Sequence, residues 1–108
     1  MNKLPLEGIR VIDFSWIIAG PTCTRMLGMM GAEIIKIESH RRPDPTRVGG
    51  GGNFHFLNQS KTSLSLNLRT EEGVDIAKKL ISISDVLVEN YASGVIERIG
   101  PVSYTHLT

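Results

Sequence analysis

Apolar residues recur along the chain with the two periods that distinguish strands from helices. Residues 9–14 (IRVIDF) and 33–37 (EIIKI) form short, nearly continuous apolar runs, which are typical of strands covered on both faces of a parallel sheet. Residues 63–68 alternate serine or asparagine with leucine, which is the period of a half-buried strand. Residues 85–89 predict a further short strand. Helical segments separate these strands, so the pattern indicates an α/β fold with a Rossmann-like parallel sheet.

The predicted helices have recognisable ends. Pro21 suits the first turn, and Gly31 the residue past the end, of a helix over about 21–30, whose methionines predict packing against the sheet. Thr70 can cap a second helix whose apolar residues fall on one face. Ser93 is predicted to cap a third, short helix that ends near residue 100.

Residues 39–52 differ from the rest of the chain. The segment SHRRPDPTRVGGGG holds two prolines, three arginines and four consecutive glycines, which predicts a long mobile loop. Such a loop is usually functional or disordered, because the entropy lost on ordering it must be recovered elsewhere. The residues that follow, FHFLNQ at 54–59, are compatible with a short strand or a turn.

Composition and the first residues argue against several classes of function. Twelve basic and eleven acidic residues give a formal net charge of +1, so we expect no binding to nucleic acid or to an anionic membrane. Pro5 and Glu7 interrupt the apolar stretch that a signal peptide needs, and no run is long enough to span a membrane. The single cysteine, Cys23, cannot form an internal disulfide, which favours a cytoplasmic location.

Residues that could carry metal or nucleophilic chemistry form no recognisable motif. The three histidines share no ligand spacing with one another or with Cys23, so no metal site is expected. Cys23 lies early in a predicted helix, where a thiolate is stabilised, but a small packed residue is the more ordinary role.

The first strand, turn and helix also invite comparison with a dinucleotide-binding unit. Glu38 ends the second predicted strand, where such a unit holds a ribose hydroxyl. The turn at 15–21 (SWIIAGP), however, has one glycine where the dinucleotide fingerprint needs three. Lys61 and Thr62 lack the glycine that precedes them in a phosphate loop. The sequence therefore argues against an NAD, FAD or Walker-type site.

Polar side chains follow the third and fourth predicted strands where each strand ends. Arg69 follows the third strand, and Asn90 and Tyr91 follow the fourth. If these strands are parallel to the first, their turns open on one edge, where Trp16 is either core or a pocket wall. Arginine offers a forked donor for phosphate, and tyrosine and asparagine suit a base or an amide-rich linker. The alternative is a capped turn with surface arginines.

Three segments carry a family resemblance. They are LPLEGIRVIDFSWIIAGPTCTRMLGMMGAEIIKIES (4–39), NQSKTSLSLNLRTEEG (58–73) and SDVLVENYASGVIERIG (84–100). In their order and spacing they resemble the N-terminal part of family III coenzyme A transferases, the group that contains formyl-CoA and carnitine CoA-transferases. The resemblance extends from Leu4 to Gly100, nearly the whole chain.

The resemblance implies a larger α/β subunit, of which this chain is the incomplete N-terminal part, and an interlocked homodimer at full length. It also implies that an aspartate attacks an acyl-CoA thioester to form a mixed anhydride, after which CoA passes to a second carboxylic acid. That aspartate would lie downstream of residue 108, so we expect no catalytic residue and no activity in this chain alone. CoA and acyl-CoA are implied as substrates, with no tightly bound cofactor.

Carried over position by position, the family's CoA contacts fall at the ends of the predicted strands and in the last helix. They are Ile18, Ala19, Leu66, Asn67, Leu68, Arg69, Asn90, Tyr91, Ala92 and Arg98. Formyl-CoA transferases have glutamine where Ile18 stands, which predicts a larger and less polar acyl group here. Relatives carry a basic residue after the position of Glu38, where this chain has Ser39, leaving Arg41 or Arg42 to supply the charge.

Two alternatives stay open at this point. An α-methylacyl-CoA racemase would share the CoA-binding half but move a proton, although the pair Asn90 and Tyr91 favours a transferase. A noncatalytic nucleotide-binding module would require a glycine triad after Phe14, which the sequence lacks. We expect residues 1–100 to belong to the large domain of the family and residues 101–108 (PVSYTHLT) to be a tail foreign to it.

Overall fold

The computed structural model describes residues 3–39, 42–48 and 51–91, which form a parallel sheet with helices on both faces. The strands and helices are β1 (Arg10–Asp13), α1 (Ala19–Met29), β2 (Glu33–Glu38), α2 (Gly52–Leu57), β3 (Lys61–Ser65), α3 (Glu71–Ser82) and β4 (Val86–Val88). Every pairing within the four-stranded sheet is parallel, which confirms the predicted α/β class.

The order of the strands across the sheet is β3-β2-β1-β4. The chain therefore proceeds outward from β1 to β3 and then returns to place β4 on the other side of β1. The direction of winding reverses between β1 and β4, and in open α/β sheets ligands bind at the carboxyl ends of the two strands that flank such a reversal.

Alternate residues of the central strands form two apolar clusters on opposite faces of the sheet. On the α1 face, buried Val11 and Ile34 pack with Ala32 and Leu27. The α3 face carries the second cluster, which consists of Ile12, Phe14, Ile37 and Ala77, flanked by Leu66, Leu68, Leu80, Ile81, Leu87 and Tyr91. The helices on the two faces thus bury the central strands β1 and β2, as their near-continuous apolar runs predict.

The ends of α1 and α3 confirm most of the signals read from the sequence. Helix α1 begins two residues before Pro21, which still lies in the first turn, where no intrahelical acceptor exists for an N–H. Gly31 has a φ of +107°, the left-handed conformation predicted past the helix end. Thr70 caps α3, since its Oγ1 accepts the N–H of Gly73 at 3.0 Å.

Two expectations about α1 are wrong. Met26 and Met29 are 54% and 58% exposed, although the apolar character of this helix predicted that it would be largely packed. Cys23 is also exposed, not a small packed residue. The sheet can bury only one side of the helix, so the apolar residues on its other side stay outside the core.

The predicted boundaries of β3 and of the long loop also need correction. Strand β3 covers Lys61–Ser65 instead of 63–68, because its neighbour β2 ends at Glu38, the partner of Ser65 in the register. Part of the predicted loop is ordered as a 3-10 turn, Pro45–Arg47. Helix α2, Gly52–Leu57, replaces the predicted short strand or turn. The helix expected after Ser93 lies outside the described residues.

Candidate functional site

The segments that follow β1 and β4 meet at the reversal of the sheet. The backbone N–H of Trp16 donates to Asn90 Oδ1 at 2.9 Å, and Asn90 Nδ2 donates to the carbonyl of Trp16 at 2.8 Å. The ring of Tyr91 lies edge-on to that of Trp16, with 5.8 Å between centroids. The strand ends that the sequence predicted to share an edge are therefore joined by direct contacts.

Gly20 allows this close approach. A Cβ built on Gly20 would overlap Ser15 Cβ, lie 2.5 Å from Ser15 Oγ and come within 3.5 Å of Asn90 Cγ. Only glycine lets the first turn of α1 lie this near to the segment after β1. The single glycine of SWIIAGP thus has a packing role, which differs from the pyrophosphate role of a dinucleotide fingerprint.

The turn after β1 is held by buried charges from β2 and the following loop. Lys36 Nζ donates to the carbonyl of Ser15 at 2.8 Å and lies 3.1 Å from Asp44 Oδ2. The carboxylate of Asp44 accepts the N–H of Ile17 at 3.3 Å. Ile17 has a φ of +69°, a conformation that β-branched residues rarely adopt.

A second buried ion pair lies beside the first on the α1 face. Lys61 Nζ is 3.0 Å from Asp13 Oδ2 and also donates to Asn58 Oδ1 at 2.7 Å. Thr24 Oγ1 donates to the same Asp13 oxygen at 2.6 Å. Burial lowers the pKa of Lys61, and the charge of Asp13 opposes that shift.

Glu38 is engaged by the loop after β2. Its carboxylate accepts the N–H of Asp44 at 2.9 Å and pairs with Arg47 at 2.7 Å. Burial raises the pKa of Glu38, but the bonds from Arg47 and the Asp44 N–H outweigh it, so the pKa lies below its ordinary value. These contacts engage the carboxylate with which a dinucleotide-binding site would bind a ribose hydroxyl.

The residues predicted to contact CoA divide between an exposed group and a half-buried group. Ile18, Ala19, Arg69 and Asn90 are exposed, and Ile18 precedes α1 as its N-cap. The half-buried residues are Leu66, Asn67, Leu68 and Tyr91. Ala92 and Arg98 lie outside the described residues.

Some of the residues predicted to contact CoA lie close to one another in the structure. Asn90 and Tyr91 contact the segment after β1, and Leu66, Leu68 and Tyr91 flank the same apolar cluster. Burial, followed by the charge of Glu89, raises the pKa of Tyr91 to about 12, so its hydroxyl is a donor at neutral pH.

The segment from Leu66 to Arg69 packs against the start of α3. A Cβ on Gly73 would overlap the carbonyl of Asn67, so glycine is required where α3 approaches this segment. The side chain of Asn67 in turn accepts the N–H of Arg69 at 3.1 Å. Arg69 therefore stands on a fixed turn at the carboxyl end of β3.

Sequence reasoning missed the charged residues beneath the site. Lys36 and Asp44 are each 1% exposed, but neither carries a motif, and their partners are distant in sequence. Glu38 ends a strand, and Lys61 drew attention only as a partial phosphate motif. A charged residue inside an apolar strand run was the one available signal.

Arg42, expected as a source of charge, places its guanidinium 5.8 Å from the Trp16 ring centroid.

Within residues 3–39, 42–48 and 51–91, no group of three histidine, cysteine or acidic side chains could hold a metal ion. Among the helices in that part of the chain, none combines the length and apolarity needed to cross a bilayer.

Comparison with protein families and curated proteins gives consistent matches. The profile described as CoA-transferase family III matches residues 6–107. The chain is 42% identical over 103 residues to the formyl-CoA:oxalate CoA-transferase of Escherichia coli O6:H1 (strain CFT073), which covers 89% of this chain and 25% of that protein. The enzyme of the same name from Shigella boydii serotype 18 gives the same values. The chain thus spans about a quarter of the length of the curated relatives it matches.

Solved structures extend the likeness to three dimensions. A CAIB/BAIF family protein from Brucella suis has a TM-score of 0.88 and 33% identity, covering 98% of this chain and 30% of that one. A hypothetical protein from Mycobacterium tuberculosis has a TM-score of 0.83 and 30% identity, covering 94% of this chain and 29% of that one.

Proposed function

The chain belongs to CoA-transferase family III, and from that premise we propose that it binds the CoA portion of an acyl-CoA thioester. The observation that carries this proposal is the junction of Trp16, Asn90 and Tyr91 at the reversal between β1 and β4. Open α/β sheets bind ligands at such reversals. Family membership implies CoA thioesters as the ligands, and we propose this junction as the place where they bind.

The chemistry of the surrounding residues suits the parts of CoA. Exposed Arg69, on its fixed turn, offers a forked donor to a phosphate group. Asn90 and Tyr91 suit the adenine or the amides of the pantetheine arm, and Ala92 and Arg98 complete the proposed contacts. Ile17 and Ile18, which are 44% and 63% exposed, would face the acyl group.

For the whole protein we propose the transfer of CoA from an acyl-CoA to a second carboxylic acid. An aspartate beyond residue 108 would attack the thioester carbonyl, expel the CoA thiolate and form a mixed anhydride. We further propose that the protein works as an interlocked homodimer in the cytoplasm. Residues 1–100 would form part of the large domain, and the foreign character of residues 101–108 stays a prediction.

Calorimetric titration of the chain with CoA, NAD and ATP tests the binding proposal. CoA is expected to bind at least tenfold more tightly than NAD or ATP. Arg69→Ala is expected to weaken CoA binding, whereas Lys78→Ala, which removes another exposed charge, on α3, should not. Tighter binding of NAD, or equal losses in the two variants, would contradict the proposal. An assay with several acyl-CoA donors should find no transferase activity in this chain alone.

A further inference from the structure

Successive backbone groups of the turn after β1 are bound by side chains, most of which come from distant parts of the chain. Asp13 accepts the N–H of Ser15 at 2.8 Å, and Lys36 donates to the Ser15 carbonyl at 2.8 Å. Asn90 binds both the N–H and the carbonyl of Trp16, at 2.9 and 2.8 Å. Asp44 then accepts the N–H of Ile17. These five backbone groups, each with a side-chain partner, fix the path of the turn from Ser15 to Ile17.

Ile17 is the strained residue of this turn. Its φ of +69° brings Cβ into conflict with its own backbone, so the conformation is strained for a residue other than glycine. Strain of this kind persists only where the surroundings impose it, and it clusters at functional sites.

The contacts that impose it come from one buried ion pair. The side chains of Lys36 and Asp44 are 1% and 0% exposed, and their charged atoms lie 3.1 Å apart. Lys36 binds the carbonyl two residues before the Ile17 N–H that Asp44 accepts. Thr46 donates its N–H and hydroxyl to Asp44 at 3.0 and 2.8 Å, which fixes the carboxylate itself.

We propose that Lys36 and Asp44 are positioning residues that hold Ile17 in its left-handed conformation and so place Ile18 and Ala19 for the acyl-CoA. The proposal rests on the function proposed above, because it assigns a purpose to the turn at that site. Neither residue needs to touch the ligand. They act through the backbone of the turn. This role gives a reason for a buried ion pair at this position.

Trp16 provides a readout that does not depend on CoA. It is the single tryptophan of the chain and lies inside the turn, so its fluorescence reports on this segment alone. Asp44→Asn is expected to raise the acrylamide quenching of Trp16 about twofold and to weaken CoA binding about tenfold. Glu33→Gln is the control, since it removes the same charge from the ion pair with Arg10 at the opposite end of β2, away from the turn.

The substitution Ile17→Gly tests the strain directly. Because glycine adopts a positive φ without penalty, Ile17→Gly should make Trp16 quenching less sensitive to Asp44→Asn than it is in the native background. Ile17→Gly should also raise the unfolding temperature relative to Ile18→Gly, since Ile18 has a φ of −117°. This comparison keeps the test valid if Asp44→Asn does not fold.

Different results test the positioning role and the proposed binding of CoA. Equal quenching in Asp44→Asn and Glu33→Gln would overturn the positioning role. An effect of Asp44→Asn that is unchanged by the additional substitution Ile17→Gly would overturn it as well. Failure of the native chain to bind CoA, with the quenching pattern intact, would overturn the proposed ligand and leave the positioning of the turn supported.

Discussion

Asp13 and Lys61 form an ion pair across a strand that separates them. Asp13 lies on β1 and Lys61 on β3, with β2 between, yet Lys61 Nζ is 3.0 Å from Asp13 Oδ2. The lysine reaches over the α1 face of β2, where helix α1 covers the pair. Both side chains are buried, at 2% and 0% exposure, so their charges depend on each other and on neighbouring polar groups.

Removal of the lysine charge is the first prediction. Lys61→Met should destabilise the fold by roughly 3 kcal/mol, because it leaves the Asp13 carboxylate buried without a cation. Denaturant unfolding measures the loss, and Lys78→Met on the exposed face of α3 is the control. Asp13→Asn added to Lys61→Met should recover part of the stability. Equal costs for Lys61→Met and Lys78→Met would refute the role of the pair.

The second prediction concerns Gly20. Alanine is normally preferred to glycine within a helix by about 1 kcal/mol, but a Cβ here would overlap Ser15. Gly20→Ala should therefore destabilise the chain by roughly 1 to 3 kcal/mol and change Trp16 emission. Gly52→Ala, where a Cβ would meet nothing within 4 Å, should be neutral or slightly stabilising. A stabilised Gly20→Ala variant would show that the turn and α1 can separate freely.

Acid should remove the contribution of Glu38. Because the pKa of Glu38 in the fold is below its ordinary value of 4.5, its contribution to stability is complete above that value. The contribution is lost as pH falls through the lower pKa of the folded state. The unfolding free energy of Glu38→Gln should thus differ from that of the native chain by a constant amount above about pH 5, and by less in stronger acid.

The free energy of unfolding of the native chain and of Glu38→Gln, measured in denaturant at a series of pH values, tests this prediction. Glu7→Gln, at an exposed position, is the control and should show no such convergence. A gap between Glu38→Gln and the native chain that stays the same down to pH 2 would mean that ionisation of Glu38 does not support the fold.

The acyl preference gives the fourth prediction. Ile17 and Ile18 expose apolar surface at the proposed site, so hexanoyl-CoA should bind at least about fivefold more tightly than succinyl-CoA. Ile18→Gln should reduce that ratio, whereas Ile76→Gln, the same change at an exposed position of α3, should leave it unaltered. Calorimetry with the two thioesters measures the ratio, and a preference for succinyl-CoA would reject the apolar assignment.

The sequence by itself determined the class of the fold and the family. Unbroken apolar runs specify strands buried on both faces, and Thr70 and Gly31 mark helix ends through local hydrogen bonds and backbone freedom. These signals act over a few residues, so they can be read without the structure. The placement of Asn90 and Tyr91 at the same sheet edge as the end of β1 also followed, because parallel strands share a carboxyl edge. Their contacts with Trp16 became visible only in the structure.

Only the tertiary structure decided which charges are buried and what they hold. Lys36 lies in β2 and Asp44 in the loop that follows, and nothing in the sequence of these segments indicates that the two side chains pair. The pair forms because the loop folds back over the strand. The length of β3 was likewise set by its partner, since a strand ends where the neighbouring backbone stops offering hydrogen bonds. Long-range contacts of this kind have no local signature, and they place Ile17 in a conformation that its own side chain disfavours.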